Sequence, residues 1–252
     1  MEPAHVEAVL SAHARAPIEH YVFISTNMVY PGGVDAMDIS GEQPGESAAR
    51  REDAAAAPMN YGGKKLKCEA MLERAAAAAA AGLPSTVLRP PAVVGAGCDP
   101  RHEKLHRFVA GLPPLPPPAK RRAAARCPKA PFRVAHAVDV ASAVVAVVDR
   151  QPIAPAEAFN VASGSAKGIT LDEYSALMSE ALAKIAEGGG PGQSGRGEVR
   201  SVPDDEVDLR NYEKQGAIDT SRAERELGFK PTPIASWMSE TVAWHIPLLE
   251  ME

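Results

Sequence analysis

The stretch NYGGKKLKCE, residues 60 to 69, sets Tyr61 and Lys65 four apart at the start of a helix. Residues i and i+4 share one helical face, so the Lys65 ammonium can sit near the Tyr61 hydroxyl. A free tyrosine has a pKa near 10 and is a poor base at neutral pH. A cation about 4 Å away, at an effective dielectric near 20, contributes roughly 4 kcal/mol. That is a drop of about three units, enough to bring tyrosinate within reach near pH 7. The pair can therefore exchange a proton with a hydroxyl. Gly62 and Gly63 each cost about 1 kcal/mol relative to alanine in a helix. They are expected to let a bound molecule approach the backbone closely.

The flanking segments must hold this helix in place. It runs through CEAMLERAAAAAAA and stops at Gly82, with Pro84 beyond. Residues 5 to 16 predict an amphipathic helix with Val6, Val9 and Leu10 as its apolar stripe. HYVFIST then reads as a buried parallel strand, and STVLRPPAVVG as a second one, cut off by prolines and a glycine. Strand, helix, strand is the βαβ rhythm of a parallel sheet. Residues 31 to 58 read as a surface loop, and residues 111 to 131, Pro-rich and then basic, as an extended exposed one.

Further along, VAHAVDVASAVVAVVDR predicts a helix and AFNVAS a short strand. Capping boxes at Thr170-x-x-Glu173 and Ser221-x-x-Glu224 open two more helices, the latter ending at Gly228. EGGGPGQSGRGE between them reads as a flexible loop. The last helix, IASWMSETVAWH, is expected to pack Trp237, Val242 and Trp244 against apolar surroundings.

A chain of 252 residues, 45% hydrophobic and 23% charged, holds one large domain or two small lobes. No apolar run reaches membrane-spanning length, and the N-terminus lacks a secretory pattern, so the cytoplasm is the expected location. Net charge −5 and 5% aromatic residues argue against nucleic acid as the main partner. Cys68, Cys98 and Cys127, odd in number and widely spaced, read as reduced thiols. HEKLH, His102 to His106, matches a zinc-protease pattern. Asp99 and Pro100 place His102 in a first helical turn, however, and no third ligand follows, so no metal is expected. GGPGQSG, residues 189 to 195, follows a helix and precedes a strand-like segment, the reverse of a dinucleotide loop.

FISTNMVY, Tyr61-x-x-x-Lys65 on a helix, LRPPAVVG, HAVDVA and FNVASG occur in that order. Together they resemble the extended short-chain dehydrogenase/reductase family of NAD-dependent epimerases and dehydratases, over about residues 5 to 245. The resemblance implies an α/β fold: a partial Rossmann-type parallel sheet flanked by helices, with a smaller C-terminal substrate lobe. Residues 1–97 with 131–163 would form the dinucleotide-binding lobe, and 98–130 with 164–252 the substrate lobe. The implied cofactor is NAD or NADP, and the implied catalytic residues are Thr26, Tyr61 and Lys65. Thr26 would bond the reacting oxygen, with Ser25 as its fallback, while Lys65 would also hold the nicotinamide ribose. Cofactor contacts are implied at Ser25, Tyr61, Lys65, Pro91 and Val93. The implied activity is that of an epimerase, dehydratase or reductase on a sugar-like or small carbonyl or hydroxyl substrate, in a chain that could form a homodimer.

Departures from the family pattern qualify this. The family's opening strand, glycine loop and NAD/NADP-selecting residue would fall before Met1. The chain as it stands is therefore expected to bind NAD(P) weakly or not at all, and to be poorly soluble or self-associated through the uncovered edge of HYVFIST. Ala92 stands where many members carry a substrate-binding asparagine. The arginine that often grips a sugar-nucleotide diphosphate aligns near Phe132, with Arg133 one place off, which argues against such a substrate. Two other readings stay open: a family-derived RNA-binding protein using Lys120, Arg121, Arg122, Arg126 and Lys129, and an inactive fragment.

Overall fold

The computed structural model describes residues 2–30, 61–77, 82–97, 133–150, 153, 156–165, 167–187 and 218–250. The loops expected over 31 to 58 and 111 to 131, the HEKLH and GGPGQSG segments, the basic cluster, Cys98 and Cys127 lie outside the described residues. In chain order the elements begin α1 (Pro3–Arg15), β1 (Tyr21–Ile24), a 3-10 turn (Asn27–Val29), α2 (Tyr61–Ala76) and β2 (Ser85–Arg89). They continue β3 (Ala92–Val94), β4 (Val134–His136), α3 (Ala137–Asp149), β5 (Glu157–Asn160), α4 (Leu171–Glu187), α5 (Ser221–Leu227) and α6 (Ile234–Glu250).

β2 is the organising strand. Both neighbours run parallel to it, giving the order β1-β2-β5, with Tyr21 opposite Ser85 and Thr86 opposite Glu157. Every residue of β2 is buried, as a parallel strand covered on both faces must be. On one face Val6 of α1 and Cys68 and Leu72 of α2 pack against Phe23 and Val87. On the other, Ala143 and Val147 of α3 and Ala223 and Leu227 of α5 close over Leu88 and Phe159. The α/β architecture with a helix-flanked parallel sheet is thus the one expected.

A second parallel pair, β3 and β4, is covered by α4 and α6 through Val94, Val134, Tyr174, Met178, Trp237 and Met238. Asp139 ties these parts together. Its Oδ2 accepts bonds from the Ser163 hydroxyl at 2.5 Å and from the Thr232 amide and hydroxyl at 3.1 and 2.9 Å. No helix among the described residues is long and apolar enough to cross a membrane.

Several local expectations change. Pro90 and Pro91 break STVLRPPAVVG into two strands belonging to different sheets, because proline lacks the amide a continuous ladder needs. VAH forms β4 before α3 begins, where the sequence suggested helix throughout. The box at Thr170 forms, with the Glu173 amide donating to the Thr170 hydroxyl at 3.2 Å and the Thr170 amide to Glu173 at 2.8 Å. The N-cap of α5 is Thr220, not Ser221, whose amide is bonded instead by Asp219. Gly228 adopts the left-handed conformation that ends α5. Trp244, expected in the core, is 40% exposed, while Trp237 and Val242 are buried.

Gly62 has a reason other than the one expected. A β-carbon there would lie 2.1 Å from the Met28 carbonyl oxygen, so the glycine admits the chain's own 3-10 turn against α2. Gly62→Ala is expected to lower stability. Overpacking costs about 1–3 kcal/mol, and the helix-propensity gain of at most about 1 kcal/mol recovers only part of it. A melting temperature raised by the substitution would show that the turn is free to move.

Candidate active site

The site lies where the carboxyl ends of β1 and β2 meet the first two turns of α2. Side chains spaced i, i+4, i+8 share a helical face, and Tyr61, Lys65 and Glu69 occupy such positions on α2. Lys65 is buried to 6% exposure, and its Nζ donates to the Ile24 carbonyl at the end of β1, 2.6 Å away. The same ammonium lies 4.9 Å from the Phe23 ring centre and 5.7 Å from that of Tyr61. Both rings offer their faces to the cation, which offsets part of its desolvation. Burial pushes the Lys65 pKa down, and the charges of Cys68 and Glu69 pull it partly back. Burial also raises the Cys68 thiol, countered by Lys65. Tyr61 itself is half exposed, so it can meet a solute.

Thr26 and Ser25 sit side by side after β1, both buried, with opposite hydrogen-bonding roles. The Ser25 hydroxyl donates to Glu69 Oε1 at 2.5 Å, which commits its proton. The Thr26 oxygen accepts from the Met28 amide at 3.3 Å, capping the 3-10 turn, and its proton meets only a long contact of 3.4 Å to Asn27 Oδ1. Backbone bonds from Ser25 to Leu88 and from Asn27 to Pro90 stitch this segment to β2. Pro91, buried, and Val93, half-buried in β3, follow directly.

Sequence reasoning did not find the charged group beneath these residues. Glu69 and Arg89 form a bidentate ion pair, 2.6 Å at its closest, with side-chain exposures of 0% and 2%. Burial alone would lower Arg89, but the charge and hydrogen bonds of Glu69 raise it well above the ordinary arginine value. Arg89 NH1 reaches the Tyr30 hydroxyl at 3.5 Å, Tyr30 donates to Asn160 Oδ1 at 2.5 Å, and Asn160 donates to the Asp219 carbonyl at 3.0 Å. The available signals were the i+8 spacing of Glu69 from Tyr61 and a charge closing the otherwise apolar end of STVLR.

Arg133 is buried elsewhere, just before β4. Its NH1 donates to the Ser165 carbonyl, while its Nε and NH2 are buried with no hydrogen-bond partner among the described residues. Burial pushes its pKa down to about 10 despite the nearby charges of Glu224 and Asp219. Phe132, beside it, lies outside the described residues, and Ala92 is half-buried in β3. Among the described residues no cluster of three or more metal-binding side chains occurs.

In open parallel α/β sheets ligands bind outside the carboxyl ends of the strands, and the tyrosine–lysine pair lies at that edge. The chain belongs to the NAD dependent epimerase/dehydratase family, whose model matches residues 4–162. No curated protein sequence matches it. Among solved structures it is similar to the UDP-glucuronic acid 4-epimerase of Bacillus cereus in complex with NAD. That likeness has a TM-score of 0.65 at 18% identity, over 97% of this chain and 67% of that one. It is also similar to the UDP-N-acetylglucosamine 4-epimerase of Methanobrevibacter ruminantium M1, with TM-score 0.66 and 17% identity, over 96% and 68% of the two chains. RMD from Pseudomonas aeruginosa complexed with NADPH gives 0.65 at 18% identity, over 95% and 70%. At these identities the likeness speaks for the fold, and the chain spans about two thirds of each neighbour's length.

Proposed function

We propose that these residues form the nicotinamide end of an NAD- or NADP-dependent epimerase, dehydratase or reductase acting on a sugar-like or small carbonyl or hydroxyl substrate. The observation that carries this reading is Lys65, a buried ammonium pinned at the carboxyl end of β1 and facing the Tyr61 ring. The donor set suits a nicotinamide nucleoside. Lys65 has two further N–H donors beyond the one given to Ile24, and the Thr26 hydroxyl, two residues past Ile24, donates only over a long 3.4 Å bond to Asn27 Oδ1. Neighbouring structures hold NAD or NADPH. In this reading Lys65 and Tyr61 would hold the nicotinamide nucleoside, with Ser25, Pro91 and Val93 as further contacts.

When bound, the nicotinamide supplies hydride acceptance and return at a substrate carbon. Tyr61 takes or gives the proton of the reacting hydroxyl, and Lys65 favours the tyrosinate form. Thr26 would donate to the reacting oxygen, giving up its long 3.4 Å bond to Asn27 Oδ1. The cofactor lobe is assigned residues 1–97 with 131–163 and the substrate lobe 98–130 with 164–252, although α5 packs on the sheet with α3.

Saturation-transfer NMR with NAD⁺ and NADP⁺ tests the assignment without needing turnover. Nicotinamide protons are expected to receive magnetisation from the wild-type chain, and several-fold less from Lys65→Met. Contact that Lys65→Met leaves unchanged would overturn it.

A further inference from the structure

The bonds around Glu69 have a direction. An ionised carboxylate only accepts hydrogen bonds and a guanidinium only donates them. Ser25 must therefore give its proton to Glu69, and the Tyr30 oxygen must accept from Arg89 while its own proton goes to Asn160. With Glu69 and Arg89 almost wholly buried, no water is at hand to reverse either end. Thr26 is held more loosely. Its oxygen accepts from the Met28 amide at 3.3 Å, and its proton goes to Asn27 Oδ1 over 3.4 Å, a long bond that a stronger acceptor can displace.

We propose that Glu69 and Arg89 are a positioning pair for the candidate site: by consuming the Ser25 proton they leave Thr26, of the two hydroxyls that follow β1, as the one able to donate to a bound molecule. The inference rests on the reading of the site given above, and the pair itself is buried, with side-chain exposures of 0% and 2%. It acts through Ser25, one residue from Thr26, and through Tyr30 at the far end of the same turn. Four segments of the site edge, namely the ends of β1, β2 and β5 and the third turn of α2, are thereby linked by one chain of side chains.

Two independent measurements test this. The first is NMR of chain carrying ¹³Cβ-labelled serine. A slowly exchanging, downfield hydroxyl proton on Ser25 is expected in the wild type. It should vanish in Ser25→Ala and shift in Glu69→Gln, or in Arg89→Lys should the former fail to fold. A Ser25 proton that exchanges freely, or that ignores both pair variants, overturns the proposal whether or not the protein is an enzyme. The second is turnover, assayed with NAD(P)⁺ and a panel of sugars, sugar nucleotides and small ketones. Thr26→Ala is expected to lower kcat at least 100-fold with KM little changed, and Ser25→Ala less than 10-fold. The reverse order overturns the proposal. Complete inactivity of the wild type counts against the functional reading instead, and the NMR result then decides the pair by itself.

Discussion

Exchange of Glu69 for alanine is expected to cost about 3–5 kcal/mol of folding stability. The expectation follows from what remains behind. Arg89, with a side chain only 2% exposed, keeps its charge and loses the carboxylate that accepts from both its Nε and NH2. The Ser25 hydroxyl loses its acceptor in the same step. Urea unfolding followed by circular dichroism would measure the loss as a lower midpoint at unchanged slope. A double variant, Glu69→Leu with Arg89→Met, is expected to recover most of it, because a buried pair and apolar replacements of similar volume differ little. A loss below about 1 kcal/mol for the single variant would match a solvent-exposed pair, and would contradict the burial described above.

Removal of one oxygen, in Tyr61→Phe, is expected to lower turnover by about 10²–10⁴-fold, the usual contribution of a positioned acid–base group. The ring remains, so the cation contact with Lys65, 5.7 Å from the ring centre, survives and the fold is unaffected. Nucleotide contact by saturation-transfer NMR should stay within about twofold of wild type, which separates proton transfer from binding. Turnover unchanged by this substitution would remove Tyr61 from the mechanism and leave Lys65 with a structural role.

The helical spacing of Tyr61 and Lys65, the strand character of YVFI and STVLR, and the stop at Gly228 could be read from local chemistry, since each rests on a period or a backbone preference. β4 could not, because three apolar residues directly ahead of an apolar helix carry no period of their own. Gly62 was misread for a related reason. What fills the space above it is the Met28 carbonyl, from a turn remote in sequence. Trp244 shows the same limit from the other side, since hydrophobicity alone does not say which face of α6 meets α4. The Glu69–Arg89 pair joins residues 20 apart across a helix and a strand, and only the folded register brings them together.

The position of β2 also has a consequence in time. Its five residues are wholly enclosed, yet its two partners arrive from opposite directions along the chain, and Tyr30 finally bonds Asn160 across 130 residues. On a ribosome working at about 5–20 residues per second, the roughly 70 residues between β2 and β5 take several seconds to emerge. Through that interval Val87 and Leu88 can pair with β1 but have nothing on their other edge. Such long-range closure is intrinsically slow, so the nascent chain passes through a stage in which its future centre is its stickiest surface.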